Sequence, residues 1–107
     1  MTLEEFTGIL EETGIPFAYD HFAEGESPEP PFLCYLLPGS ENFAADGGVY
    51  FRISEVRVEL YTDRKDLEAE AKVEAVLDAA GIFYNKSEVW IPSERLYEVL
   101  FSFMMEG

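Results

Sequence analysis

One cysteine and one histidine are the residues of this chain that could together form a nucleophilic pair. Such a pair needs a thiolate whose pKa is lowered by positive neighbours or by a helix N-terminus. Cys34 stands within the apolar run 32–37, so the sequence predicts a buried, unreactive thiol. His21 follows Asp20, which could orient the imidazole as a base, but its position at the edge of a loop favours an exposed surface histidine.

Carboxylates are numerous, but their spacing is typical of helix caps and turns. Asp63 and Asp66 bracket a predicted helix start, where aspartate commonly caps the helix; a metal site is the weaker alternative. The run Asp46-Gly47-Gly48 lacks the alternating oxygen ligands of a calcium loop, and the chain has neither zinc-ligand spacing nor a glycine-rich phosphate loop. We therefore expect no catalytic residue, cofactor or metal, and no enzymatic activity.

Positive side chains are few, and several lie on or next to the longest predicted strand. They are Arg52, Arg57, Arg64, Lys65, Lys72, Lys86 and Arg95. Cross-strand pairing with nearby glutamates is the simpler interpretation. The alternative is pairing between the subunits of a ring.

The charge balance is strongly acidic: 22 acidic residues against 7 Lys and Arg in 107 residues give a net charge of −15. Such a surface repels duplex DNA and anionic membranes, so we expect neither as a direct partner. Beyond solubility, it could serve a basic partner, mimic DNA, or form a wall along which DNA slides without adhering. The length indicates a single domain over residues 1–107, and 48% hydrophobic residues exclude intrinsic disorder.

The expected compartment is a reducing cytoplasm. A single cysteine cannot form an internal disulfide. No apolar run reaches the roughly 18 residues of a membrane span. The N-terminus is acidic where a signal peptide would be basic.

Hydrophobic periodicity and capping residues place the elements that position these side chains. The first half is predicted to contain a helix over 3–13, strands over 15–20 and 32–37, and a loop over 40–48 with Phe43 exposed at its tip. A long strand over 49–60 and a helix that begins after Asp66 and ends at Gly81 follow. The last elements are a strand between 82 and 91, which a turn at 85–87 could divide, and a strand over 96–104. The apolar residues of the long strand change from odd to even positions, which predicts a β-bulge or a bend near Ser54-Glu55.

These elements predict an α+β fold with a mainly antiparallel sheet and the order α-β-β-β-α-β-β. The two helices should cover one face of the sheet through Phe6, Leu10, Val73 and Leu77. The last strand is apolar on nearly both sides, so a second covered face, and hence an oligomer, is expected.

About residues 3–103 of the chain resemble the small tail-terminator, or tail-completion, proteins of siphophages and prophages. The stretches that carry the resemblance are the opening helix up to Gly14-Ile15-Pro16, Pro31-Phe32-Leu33-Cys34-Tyr35, Asn42-Phe43-Ala44-Ala45-Asp46, and residues 56–63 leading into the second helix and Gly81-Ile82. The resemblance lies in the order of elements and in local sequence.

The resemblance implies a homo-oligomeric ring, with six subunits as the expected number, that caps the head-proximal end of the tail tube. It implies contacts with the tail-tube protein and with head-neck proteins, in the bacterial cytoplasm during assembly and in the virion tail afterwards. The family has no motif that defines its function, so no functional residue is carried over from it. Our candidates for subunit contacts come from the predicted loop and the charged strand: Asn42, Phe43, Arg52, Arg57, Glu59 and Arg95.

A function of another class is the alternative. The chain could be a small acidic binding module, an inhibitor or a DNA mimic, that blocks a basic surface of a host protein. Self-association and an effect on tail tubes separate the two hypotheses.

Overall fold

The computed structural model describes the backbone of residues 1–44 and 50–106 and the side chains of residues 1–40 and 53–106. Two sequence predictions, the Asp46-Gly47-Gly48 turn and the exposed side chain of Phe43, lie outside the described residues.

Helix α1 (Leu3–Glu11) begins at a reciprocal cap. The N–H of Glu5 donates to Thr2 Oγ1 over 3.1 Å, and the N–H of Thr2 donates to Glu5 Oε1 over 3.4 Å. The helix ends earlier than the predicted Thr13, because the N–H of Thr13 bonds to the carbonyl of Leu10 in a tighter turn. Gly14 then reverses the chain with a φ of 73°.

Helix α2 (Leu67–Ala79) begins at the predicted cap. The carboxylate of Asp66 accepts a hydrogen bond of 3.0 Å from the N–H of Ala69. The helix ends at Ala79, and the predicted Gly81 follows its cap with a φ of 72°. Local chemistry therefore determines both ends of α2.

The strands form one twisted sheet. They are β1 (Phe17–Tyr19), β2 (Phe32–Leu36), β3 (Ser40–Ala44), β4 (Tyr50–Thr62), β5 (Asn85–Ile91) and β6 (Leu96–Glu106). The order across the sheet is β1-β2-β4-β6-β5, with β3 paired to β4. Every pair is antiparallel except β1 with β2. The α+β class is confirmed, and so is the predicted order of the two helices and the five strands on the main path.

Two strand boundaries differ from the prediction. Residues 40–44 pair with residues 50–54 as β3, where a loop was predicted. Strand β5 begins at Asn85 rather than near Ile82 and continues through the predicted turn at 85–87. Both segments are polar and have low strand propensity, but pairing with a long neighbouring strand overrides that propensity.

The predicted irregularity near Ser54-Glu55 is present, but the extra residue is not on the long strand. Strand β4 pairs with β6 in one unbroken register from Ile53↔Glu106 to Thr62↔Tyr97. The irregularity lies along the opposite edge of β4, which pairs with β3 and then with β2. Between the pairs Ser40↔Ser54 and Leu36↔Arg57, the three residues 37–39 lie opposite only two residues of β4, 55 and 56. Pro38 falls in this extra stretch and has no N–H to give to the ladder. The change from odd to even positions therefore means that Ile53 and Val56 lie on opposite faces of β4.

Both helices cover the same face of the sheet, as predicted. Phe6 and Leu10 of α1 and Val73 and Leu77 of α2 are fully buried. The sheet residues buried in the same core are Leu33, Val56, Val58, Leu60, Val99, Phe101, Phe103 and Met105. Among the described residues, the opposite face of the sheet has no helix on it.

Candidate subunit interface

The face of the sheet turned away from the helices, here called the open face, combines apolar and charged side chains. It consists of the residues that alternate with the core positions of β2, β4 and β6. They include Leu36, Ile53, Glu55, Arg57, Glu59, Tyr61, Glu98, Leu100, Ser102 and Met104. Of these, Met104 is 51% exposed, and the others are half-buried. Solvent therefore reaches part of the apolar area on this face, beside several charged groups.

Two carboxylates on the open face share one phenol. The hydroxyl of Tyr61 lies 3.1 Å from Glu59 Oε1 on its own strand and 3.0 Å from Glu98 Oε2 on β6. Burial raises the pKa of Glu59, the charge of Glu98 raises it further, and the hydrogen bond from Tyr61 acts in the opposite direction. Burial and the two carboxylates also hold the pKa of Tyr61 well above its ordinary value, so the phenol keeps its proton.

This cluster has more acceptors than donors. A phenol has one proton and can donate it to only one carboxylate at a time. The second carboxylate can then bind a proton or accept a hydrogen bond from a basic group of a partner. The cluster is thus suited to binding a lysine or arginine side chain from outside the chain.

Arg57 lies on the same face and is incompletely paired. Its Nη2 is 3.8 Å from Glu55 Oε1, and both side chains are more than a third exposed, so this ion pair contributes little to stability. The Nε of Arg57 is buried without an acceptor among the described residues. A buried donor without an acceptor is costly, and an acceptor on a neighbouring subunit would remove that cost.

The structure divides the predicted contact residues into three groups. Asn42 and Arg52 are register partners in the β3–β4 pair, and Phe43 is the next residue of β3. Arg57 and Glu59 lie together on the open face. Arg95 is exposed in the turn between β5 and β6, at the opposite end of the sheet, and has a φ of 53°. The six residues therefore do not form one patch.

The cysteine and the histidine line the same groove, which has a volume of about 360 Å³. Cys34 is 4% exposed, and burial, followed by the charge of Glu59, raises the pKa of its thiol to about 11. His21 is exposed, with Nδ1 3.0 Å from Asp20 Oδ2. The predicted burial of Cys34 is confirmed, and its raised pKa is the opposite of what a nucleophile needs.

Within residues 1–44 and 50–106, no three His, Cys, Asp or Glu side chains group closely enough to hold a metal ion. No helix in this part of the chain has the length and apolar character needed to cross a membrane.

Sequence analysis missed one buried ionic cluster between α2 and β5. The side chain of Glu70 is 2% exposed, and its two oxygens lie 2.8 Å from Lys65 Nζ and 2.8 Å from Lys86 Nζ. Burial acts to raise the pKa of Glu70, but the two lysines outweigh it and hold the pKa below its ordinary value. The sequence does contain a signal, because Glu70 stands three residues before Val73 and seven before Leu77, on the buried stripe of the helix.

Comparison with known proteins gives a likeness in fold. No protein-family model and no curated protein sequence matches the chain. The fold is similar to that of a chain in a solved structure described as the virion of a native gene transfer agent particle, with a TM-score of 0.59 and 17% sequence identity. The match covers 98% of this chain and 89% of that chain.

Proposed function

We propose that this chain is a structural protein of virion assembly, a tail terminator that caps the head-proximal end of a tail tube and joins it to the head-neck complex. The observation that carries the proposal is the fold it has in common with a chain of a virion, over nearly the full length of both. The resemblance of the sequence to tail terminators supplies the specific station in the particle.

The open face supports a role in assembly. Its apolar side chains Leu36 and Leu100 are half-buried in the single chain, where Leu36 lies opposite Arg57 and Leu100 opposite Glu59. Covering this face with a neighbouring subunit would bury apolar area and supply partners to the polar groups. A ring requires such a contact to be heterologous, with two different patches meeting at each boundary.

A two-stranded arm supplies a candidate contact with the tail tube. The last residue of β6 that pairs with β4 is Glu106, opposite Ile53. Beyond that point, residues 50–52 pair only with β3 among the described residues. This arm brings Asn42 and Arg52, two of the predicted contact residues, past the end of the sheet's main body.

The net charge of −15 is compatible with a ring through which DNA passes. Phosphates are repelled by an acidic lumen, so packaged DNA would slide without adhering. The same charge opposes ring closure, and salt reduces that repulsion because the Debye length is about 8 Å at 0.15 M. If repulsion between subunits dominates, association strengthens as the salt concentration rises; if Arg52, Arg57 and Arg95 pair directly with acids across the boundary, salt weakens it.

The mass of the protein in solution, measured across concentration and salt, tests the proposed ring. Arg57→Glu should weaken association about tenfold, because it removes the buried donor that an acceptor of the neighbouring subunit would meet and places a carboxylate against that acceptor. Arg64→Glu is the matched control: it changes the net charge equally but lies in the exposed segment before α2. Equal effects of the two substitutions would contradict an interface on the open face.

A further inference from the structure

Strand β5 forms an exposed edge of the sheet. Its residues are exposed from Asn85 to Trp90, and Ile91 is half-buried. The register with β6 is unbroken from Asn85↔Ser102 to Ile91↔Leu96, so no bulge turns the edge away. The strand contains no proline, and among the described residues no other strand pairs with its outer side. Such an edge is a template for pairing with another chain.

The side chains of β5 are sorted by face. Lys86 lies on the helix face, where its Nζ contacts Glu70 and Glu74 of α2. Glu88, two residues on, lies on the same face and pairs with Lys65 at 2.6 Å. Ser87 and Val89 alternate with them and lie on the open face.

We propose that β5 pairs antiparallel with β5 of a second copy of this chain, about a two-fold axis that passes through Ser87. Directly opposed residues of an antiparallel pair lie on the same face. For two identical edges, the two-fold axis must therefore lie midway between the two copies of one residue. Each possible register is defined by which residue lies at the axis.

Charge complementarity selects the register at Ser87. An axis through Lys86 would place two lysines opposite each other, and an axis through Glu88 would place two glutamates opposite each other. With the axis at Ser87, each Lys86 lies opposite Glu88 of the other copy, which gives two opposite-charge pairs. The lysine and glutamate are both already held on the helix face by contacts within their own chain.

The flanking residues are self-complementary about the same axis. Residues 83 and 84 precede β5, and an extension of the pairing to them would place Trp90, 42% exposed, opposite Tyr84 of the other copy. Phe83, 88% exposed, falls opposite Ile91. Pairing would thus bury the most exposed large apolar side chain among those described, together with an exposed indole. The segment 83–91 contains aromatic, charged and apolar positions in a nearly palindromic order around Ser87.

The pairing is independent of the proposed role on tail tubes. It uses the β5 edge, whereas the proposed ring contact uses the open face and the proposed tail-tube contact uses the arm. A chain that pairs through Ser87 but never caps a tube would overturn the proposed function and leave this inference intact.

Cysteine cross-linking under mild oxidation tests the register. Ser87→Cys should cross-link to a dimer, because opposed Cα atoms are about 4.5–5.5 Å apart, within disulfide reach. Val89→Cys alone should not, since its two copies would be separated by about four residues of strand, roughly 14 Å. A mixture of Asn85→Cys with Val89→Cys should give the mixed cross-link. Wild type, with buried Cys34, is the background control.

The inference would be overturned if Ser87→Cys cross-linked no faster than Val89→Cys, or if the mixed product were absent.

A charge reversal provides a second test of the pairing. In Glu88→Lys, each Lys86 would lie opposite the new lysine at position 88 of the other copy. The dimer dissociation constant, measured by sedimentation, should then rise at least about tenfold. Glu11→Lys, on exposed α1 surface, makes the same charge change and should leave the dimer intact; equal weakening by both would also contradict the proposed pairing.

Discussion

Tyr61 donates a hydrogen bond to Glu98 over 3.0 Å, although 37 residues of chain separate them. The bond joins β4 and β6, the two longest strands, on the face that the helices leave open. Glu59 lies 3.1 Å from the same hydroxyl, so two carboxylates compete for the hydrogen bond from one phenol proton. The raised pKa of Glu59 makes this cluster sensitive to pH.

Removing the shared hydroxyl should destabilise the fold modestly. Tyr61→Phe leaves two partly buried carboxylates without their donor, and we expect a loss of about 1–2 kcal/mol in the free energy of unfolding. Tyr97→Phe is the control, since the described residues supply no partner for its hydroxyl. The free energy of unfolding of both variants and of wild type can be measured in urea. Equal losses of that free energy in the two variants would refute the role of the Tyr61 hydrogen bond.

Glu59 should make stability fall as pH rises. Its pKa in the folded chain is raised above the ordinary value of 4.5 by burial and by Glu98. The unfolded chain therefore releases this proton at lower pH than the folded chain, and the contribution present below pH 4.5 is lost as pH rises through the folded pKa. Glu59→Gln should be more stable than wild type at about pH 7, and the difference should shrink toward about pH 4. A difference that is the same at all pH values would contradict this.

Glu70 should have the opposite pH dependence. Burial acts to raise its pKa, but Lys65 and Lys86 outweigh burial and lower it, so its contribution is present above pH 4.5 and is lost as pH falls through the folded pKa. Glu70→Gln should cost roughly 1–3 kcal/mol at about pH 7, at the low end for a buried pair because both lysines are partly exposed. Glu68→Gln, exposed on the same helix, should cost much less, as measured by unfolding at about pH 7 and about pH 3.

Cys34 should resist labelling in the native protein. With a pKa of about 11, about one thiol in a thousand is ionised at about pH 8, and the side chain is buried. A thiol reagent should react slowly in buffer and at once in denaturant. Rapid reaction under native conditions would mean that β2 opens or that the groove gives access to the thiol.

Sequence reasoning succeeded where a few neighbouring residues determine the structure. The caps at Thr2 and Asp66 and the left-handed glycines Gly14 and Gly81 are local features, and the structure contains all four. The alternation of β4 likewise places Arg57 and Glu59 on one face without knowledge of any other strand.

What the sequence could not predict depends on pairing between distant segments. The polar segment 40–44 becomes a strand only because β4 extends beside it, and β4 is regular only because the extra residue lies at 37–39. In the same way, Glu98 joins Glu59 and Tyr61 through the β4–β6 register. Strand propensity contains no information on such registers.

The most direct test of the proposed function is electron microscopy of tail tubes that grow in the presence of this protein. We predict that tubes stop at a defined length, with a ring of the chain at one end, when the protein is present at a few copies per tube. Arg64→Glu should act as wild type does. Tubes that grow to the same length with and without the protein, and that have no added density at either end, would contradict the tail-terminator function and favour the acidic binding module.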